Sequence, residues 1–218
     1  MKDRFDLIIF DWDGTLVDSV DWIVQCLSVA AGKQGREIPS KQAIKNIIGL
    51  SIHKALDELF PGIDQNTREQ LITCYSQEFF SKQISEQDLF VGVDDMLHKL
   101  KQQGYQLAVA TGKSRAGLDK AMQGTGLQAF FHITRCADET ASKPQTLMLE
   151  EIISELAVSR DRVLFVGDST HDMKMANNAN VSAIAVTCGA NSLDQLNEFK
   201  PLLNLQQTTE LLDILHKG

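Results

Sequence analysis

Four short apolar runs, spread along most of the chain, constrain its fold more than any other sequence feature. They occupy residues 7–10, 106–110, 163–166 and 183–186. The first is rich in branched residues, and each is followed by glycine or polar residues, then by a helical pattern. Unbroken apolar runs of this length are typical of strands buried on both faces, and strands that alternate with helices build parallel sheets. The sequence therefore predicts an α/β protein with a mostly parallel, doubly wound sheet.

The region from Val17 to Leu89 interrupts this alternation, because it shows helical periodicity and no convincing strand. Helices are predicted at 41–48, 52–60 and 68–82, with Ser40, Ser51 and Thr67 as their N-caps. Further helices are expected at 93–103, ending at Gly104, and at 145–156, with Pro144 in the first turn. The simplest organisation is an all-helical insert at 17–89 within a core formed by 1–16 and 90–218.

Composition limits the class of protein. A chain of 218 residues, 43% of them hydrophobic, is long enough for one large domain or for a domain with an insert. The net charge of −8, without any basic cluster longer than a pair, argues against nucleic acid or an anionic membrane as a partner. The four dispersed cysteines are predicted to be free thiols, and no apolar run resembles a signal peptide or membrane span. We expect a cytoplasmic protein, either a monomer or a homodimer.

Two acidic pairs follow predicted strands directly. Asp11 and Asp13 come after the first strand, and Asp168 and Asp172 come after the third. Each pair has a simpler interpretation, as a turn, a loop acid or a helix cap. In open α/β sheets, however, ligands bind at the carboxyl ends of strands, where these pairs would meet. Because clustered carboxylates repel unless a cation is present, the pattern predicts a Mg²⁺ site with oxygen ligands and a phosphate.

Two further features suit a phosphate group. Thr111 follows the second predicted strand, and its hydroxyl and the backbone N–H groups of Gly112 and Lys113 would contact phosphoryl oxygens. Lys143 precedes a predicted helix and would neutralise the charge of a nucleophile and a phosphate. Taken singly, Thr111 also fits an ordinary strand-end threonine and Lys143 an ordinary surface lysine.

In combination, these residues resemble the four motifs of the haloacid dehalogenase superfamily, in the family's chain order and across nearly the whole chain. The motifs are Asp11-Trp12-Asp13-Gly14-Thr15-Leu16-Val17-Asp18-Ser19, Ala110-Thr111-Gly112-Lys113, Ser142-Lys143-Pro144 and Gly167-Asp168-Ser169-Thr170-His171-Asp172. The resemblance implies a Rossmann-like core and an inserted helical cap, in agreement with the organisation predicted from periodicity.

The resemblance also implies catalytic roles. Asp11 resembles the nucleophile that forms an aspartyl phosphate, and Asp13 resembles the acid that protonates the leaving oxygen and later activates water. Thr111, with Gly112, resembles the phosphate-binding segment. Lys143 resembles the lysine that holds the nucleophile and the phosphate.

The implied metal site uses the same acids. Asp168 resembles a direct Mg²⁺ ligand, and Asp172 resembles its acidic support or the partner of Lys143. Asp11 would also contact the metal, and Asp13 would do so through its backbone carbonyl. The predicted metal-binding set is therefore Asp11, Asp13, Asp168 and Asp172.

Asp13 separates branches of the family. Dehalogenases and phosphonatases lack an acid at this position, so its presence favours phosphoryl transfer. The segments Gly49-Leu50-Ser51 and Leu59-Phe60-Pro61-Gly62 resemble the phosphoglycolate phosphatase group. The predicted function is Mg²⁺-dependent hydrolysis of a small phosphorylated metabolite, a phosphoglycolate-like phosphomonoester, through a phosphoaspartate on Asp11. A sugar phosphomutase with the same aspartyl-phosphate chemistry and a catalytically silent binding domain are the alternatives.

Other residues have weaker claims to a role at the site. Candidates to face the substrate are His53, Lys54 and Arg68 in the insert and His171 in the last motif. Each of them also fits an ordinary surface residue. Trp12 and Trp22 are predicted to pack in the interior rather than to contact a ligand.

Overall fold

The computed structural model describes residues 4–216, and a six-stranded parallel sheet forms its centre. The strands are β1 (Leu7–Phe10), β2 (Gln106–Thr111), β3 (Ile133–Cys136), β4 (Val163–Gly167), β5 (Ser182–Val186) and β6 (Leu203–Leu205). Their order is β3-β2-β1-β4-β5-β6, and every neighbouring pair is parallel. The predicted α/β class is confirmed, with β1 between β2 and β4 at the centre of the sheet.

Helices cover both faces of this sheet and form the insert. They are α1 (Val20–Lys33), α2 (Lys41–Ile47), α3 (Ile52–Leu59), α4 (Gln65–Phe79), α5 (Val93–Gln102), α6 (Arg115–Thr125), α7 (Leu147–Glu155), α8 (Thr170–Asn178), α9 (Leu193–Asn197) and α10 (Leu211–His216). Successive β1 residues point to opposite faces, as strand geometry requires. Ile8 and Phe10 pack in one core with α5, α6 and α10, and Leu7 and Ile9 in a second core with α7, α8 and α9.

Helices α1 to α4 form a cap with a hydrophobic core of its own, which includes Leu27, Ile44, Leu56 and Leu71. Two of the predicted N-caps are present, because the hydroxyls of Ser40 and Ser51 accept backbone N–H groups at the starts of α2 and α3. The predicted start of α4 was wrong. Its N-cap is Asp64, whose carboxylate accepts the backbone N–H of Thr67 at 3.0 Å, so the helix begins three residues earlier than expected.

Two strands were not predicted, and both lie at edges of the sheet. β3 is partly exposed at its middle positions, and β6 is three residues long with Leu203 39% exposed. Edge strands face water on part of their surface, so they lack the continuous apolar run that identified the central strands. The helix predicted at 145–156 begins at Leu147, which places Pro144 before its first turn.

Two adjacent segments connect the cap to the core. The backbone N–H of Asp18 donates to the carbonyl of Asp88 at 2.8 Å, and that of Phe90 donates to Leu16 at 3.1 Å. Within residues 4–216, no helix combines the length and the apolar character that a membrane span requires. All four cysteines are free thiols, with Cys26 and Cys136 buried.

The two tryptophans pack as predicted. Trp12 is fully buried in the core beneath α5 and α6 and meets the ring of Phe131 edge to face at 6.4 Å. Trp22 packs against the cap core and donates its indole N–H to the carbonyl of Phe79 at 3.3 Å.

Candidate active site

Three neighbouring strands bring the predicted site residues to one edge of the sheet. Asp11 follows β1, Thr111 ends β2 and Asp168 follows β4. Because β1 pairs with both β2 and β4 in parallel, their carboxyl ends lie side by side. At the start of α8, Ser169 and Asp172 form a capping box, so Asp172 both caps the helix and lies at the site.

A buried lysine joins two of the acids. The Nζ atom of Lys143 lies 2.7 Å from Oδ1 of Asp11 and 2.6 Å from Oδ1 of Asp172, and all three side chains are almost completely buried. Burial alone would lower the pKa of Lys143, but the two carboxylates outweigh that effect and raise it. Lys143 is therefore held charged between the acids and is no surface lysine.

The carboxylates outnumber this lysine. One oxygen from each of Asp11, Asp168 and Asp172 lies within 4.8 Å of the other two. Burial, with the neighbouring acids, raises the pKa of Asp11 well above its usual value and that of Asp168 to about 7. Oδ2 of Asp11 is buried and has no hydrogen-bond partner among the described residues. Such a site favours a positive ligand, because a cation would offset the repulsion.

Asp168 is held from two sides. Its Oδ1 accepts the hydroxyl of Thr15 at 2.9 Å, and its Oδ2 accepts the backbone N–H of Ala190 at 2.7 Å. The surrounding backbone is so close that a Cβ at Gly14 or Gly189 would lie 2.2 or 2.0 Å from Oδ2 of Asp168. Only glycine fits at these two positions, and Gly14 also has a positive φ of 79°.

The side chain of Asp13 lies apart from the cluster formed by the other three acids. Its Oδ1 accepts the hydroxyl of Ser19 at 2.6 Å, and its Oδ2 lies 3.0 Å from Nζ of Lys113. Lys113 also lies over the ring of Phe79, 4.4 Å from its centroid. Of the four acids predicted to bind metal, three converge through their carboxylates, and the carboxylate of Asp13 is oriented separately.

The phosphate-binding segment lies beside these acids. Thr111 is buried, and its hydroxyl accepts the backbone N–H of Lys113 at 3.3 Å. Gly112 lies directly beneath the cap, since a Cβ at this position would be 2.5 Å from the carbonyl oxygens of Gly49 and Leu50. The segment therefore lies between the acids at the carboxyl ends of the strands and the cap.

A cavity of about 340 Å³ lies between the cap and the core. Asp11, Asp13, Thr111 and Gly112 line it from the core side. Its volume is near the lower end of the range of about 300–1,000 Å³ that is common for ligand pockets. The cavity therefore gives a small ligand access to the acids.

The cap is closed over this edge. The backbone N–H of Ser51 donates to the hydroxyl of Ser142 at 2.9 Å, and Nε2 of His171 lies 2.8 Å from the carbonyl oxygen of Asn46. Ser142 of the third motif and His171 of the fourth are thus in contact with the cap. His171 joins cap to core and does not line the cavity.

The structure separates the three candidate substrate-facing residues of the cap. His53 lines the cavity, although its side chain is exposed. Lys54 does not line the cavity and is exposed. Arg68 pairs with Asp57 at 2.7 Å on the outer side of the cap, so the structure places it away from the site.

An α/β fold with acids and a lysine at the strand ends, beneath a helical cap, defines a class of hydrolases. The sequence model of the haloacid dehalogenase-like hydrolase family matches residues 8–186. The chain belongs to this family, as the four motifs predicted.

Three relatives illustrate the similarity. The chain is 34% identical over 214 residues to the "probable phosphatase IndB" of Dickeya dadantii, covering 96% of this chain and 93% of the relative. It is 26% identical over 218 residues to the pyrophosphatase PpaX of Bacillus mycoides, covering 98% of each. A solved structure described as a predicted phosphoglycolate phosphatase from Haemophilus somnus superposes with a TM-score of 0.82 at 22% identity, covering 96% of this chain and 97% of that one.

Sequence reasoning missed the polar side chains that orient the acids. Lys113 was considered only for its backbone N–H, whereas its ammonium group contacts Asp13. Thr15 and Ser19 were recognised as motif residues without the roles that they have beside Asp168 and Asp13. The motif match was the only signal for all three side chains, because Lys113 ends the second motif and Thr15 and Ser19 belong to the first.

Proposed function

We propose that this protein is a Mg²⁺-dependent phosphatase that hydrolyses a small phosphomonoester through a phosphoaspartate on Asp11. The observation that carries the proposal is the convergence of Asp11, Lys143, Asp168 and Asp172 beneath a closed cavity. Core packing does not explain a cluster of one buried lysine and three buried carboxylates, because buried charges destabilise the fold unless they are paired.

The residues present fit a magnesium ion. Mg²⁺ prefers oxygen ligands, and the cluster offers three carboxylates. One of their oxygens, Oδ2 of Asp11, is buried and has no hydrogen-bond partner among the described residues. We assign Asp11 and Asp168 as side-chain ligands, Asp172 as a supporting acid, and the backbone carbonyl of Asp13 as a further ligand. When bound, the ion would supply positive charge that offsets the carboxylates and the phosphate.

The chain's own residues account for the chemistry. Lys143 and the segment from Thr111 to Lys113 hold the phosphoryl oxygens. A carboxylate oxygen of Asp11 attacks phosphorus, the bond from phosphorus to the leaving oxygen breaks, and Asp13 gives its proton to that oxygen. Asp13 then accepts a proton from a water whose oxygen attacks phosphorus. The bond between Asp11 and phosphorus breaks, and free phosphate leaves.

The cap controls access to this site. We propose that the segment 17–89 moves as a unit relative to the core formed by 1–16 and 90–218, with hinges near 17–21 and 88–91. In this arrangement Gly112 and the loop at Gly49 are in close contact at the cavity that Asp11 lines. Opening admits substrate, and closure keeps stray water from the phosphoaspartate.

The test is phosphate release from a panel of phosphomonoesters in Mg²⁺ and in EDTA, with rapid-quench labelling of the enzyme. We expect activity that requires the metal and an acid-stable, base-labile label on Asp11. Asp11→Asn should abolish the label. Undiminished activity in EDTA, or a label on another residue, would overturn the proposal. Formation of a phosphate isomer without free phosphate would identify a mutase instead.

A further inference from the structure

We infer that the substrate's leaving group is an uncharged, largely apolar alcohol, an inference that rests on the proposed phosphatase function. It is based on the lining of the 340 Å³ cavity on the side away from the acids. That lining determines which leaving group fits beside Asp13, and it differs from what an anionic leaving group would need.

One face of α4 forms much of the wall. Ile72, Tyr75, Ser76 and Phe79 line the cavity at helical spacings of three and four residues, so they share one side of the helix. The rings of Tyr75 and Phe79 are 5.7 Å apart, and Phe79 meets Phe80 edge to face at 5.5 Å. This wall presents aromatic and aliphatic surface to the ligand.

Other cap elements add mainly apolar surface. Ile23 and Leu27 of α1, one helical turn apart, line the cavity, and Ile47 and Leu50 line it at the end of α2 and the following loop. An apolar leaving group in this cavity would displace water from apolar surface, and this displacement would favour its binding.

Among the described residues, the cavity lining holds no unpaired Lys or Arg for a second anionic group. Lys113 is the one Lys or Arg among the described residues that line it, and its ammonium group is already paired with Asp13 at 3.0 Å. His53 is exposed. Apart from Asp11, Asp13 and Lys113, the remaining charged residue of the lining is Asp138, which is an acid. A carboxylate or second phosphate in this space would lose its hydration without gaining a partner.

The wall does allow a neutral hydrogen bond. Tyr75 and Ser76 line the cavity, and neither hydroxyl makes a side-chain hydrogen bond within the described part of the chain. Burial, with a contribution from Asp13, raises the pKa of Tyr75 well above its usual value, so this hydroxyl stays neutral. An alcohol with one polar, uncharged substituent would therefore also fit.

The test compares two substrates of nearly the same shape, isobutyl phosphate and phosphoglycolate. The leaving group ends in two methyl groups in the first and in a carboxylate in the second. We expect kcat/KM for phosphate release from isobutyl phosphate to be higher by about tenfold or more, the scale on which pockets discriminate such groups. Pyrophosphate should also be poor. Calorimetry on Asp11→Asn with Mg²⁺ should show the same order of affinity without turnover.

A matched pair of variants tests the cause. Ile72→Lys places a cation in the wall and should shift the ratio of kcat/KM values about tenfold or more toward phosphoglycolate. Ile63→Lys alters a cap residue of similar burial that does not line the cavity, and it should leave the ratio within about twofold of wild type. Thermal melting checks that both variants fold.

The outcomes separate the two proposals. If the wild-type protein hydrolyses phosphate esters but prefers phosphoglycolate or pyrophosphate, the leaving-group inference is overturned and the phosphatase function stands. If it releases no phosphate from any ester, including para-nitrophenyl phosphate, in Mg²⁺, the proposed function is overturned and this inference with it.

Discussion

Lys143 is the residue whose removal we expect to cost the most, and the structure gives the scale of that cost. Its Nζ atom lies 2.7 Å from Asp11 and 2.6 Å from Asp172, with all three side chains buried. At an effective dielectric constant near 20, a contact of this length corresponds to about 6 kcal/mol of Coulomb attraction. Burying the ammonium group costs several kcal/mol, which offsets part of the two contacts.

Lys143→Met keeps most of the side-chain volume and removes the charge. The three acids of the cluster would then have no buried cation, and breaking a buried pair in this way typically costs about 3–5 kcal/mol. In EDTA, we expect the urea midpoint of unfolding to fall by about 1–2 M, given a typical slope for a protein of this size. Mg²⁺ should restore part of that loss, because it binds the folded cluster and not the unfolded chain.

The measurement is urea denaturation followed by circular dichroism, with and without Mg²⁺, together with phosphate release. Lys174→Met is the control, since Lys174 is an exposed residue of α8 and its substitution should change stability by about 0.5 kcal/mol or less. An unchanged midpoint for Lys143→Met in EDTA would refute the view that this lysine compensates the acids. Full activity in that variant would remove Lys143 from the proposed mechanism.

Three other substitutions test separate parts of the site. Asp13→Asn should form phosphoenzyme from an activated aryl phosphate and then stall, because nothing activates water; rapid-quench labelling would reveal the trapped species on Asp11, and steady turnover would contradict the assigned role. Asp168→Ala should weaken Mg²⁺ binding in calorimetry while the far-ultraviolet circular dichroism stays that of wild type; unchanged Mg²⁺ affinity would exclude Asp168 as a ligand. Gly112→Ala places a Cβ 2.5 Å from the carbonyl oxygen of Gly49, so it should force the cap away from the core and speed hydrogen exchange in the cap loop; wild-type exchange and activity would show that closure does not depend on this contact.

The central architecture was predictable because it depends on local pattern. The runs that became β1, β2, β4 and β5 are buried on both faces, so each is apolar throughout and stands out from its neighbours. The caps at Ser40 and Ser51 were predictable for a similar reason, since a cap involves only residues three positions apart. The edge strands β3 and β6 were not, because half-exposed strands carry no comparable signal.

The sequence by itself determined which residue types stand at the strand ends, and thereby the acidic pairs at Asp11 and Asp168, the threonine at the end of β2 and the family to which the chain belongs. Only the tertiary structure decided which of them touch. Lys143 lies 132 residues from Asp11 along the chain, and Lys113 lies 100 residues from Asp13. Both ion pairs therefore exist only in the folded chain, where β2 pairs with β1 and the segment between β3 and α7 brings Lys143 to Asp11. The apolar wall that faces the leaving group arises in the same way. In the sequence, its residues on α1 and α4 can be recognised only as positions in helices. Periodicity predicts which side chains are buried, but the ligand cavity that they line forms only when the cap folds over Asp11.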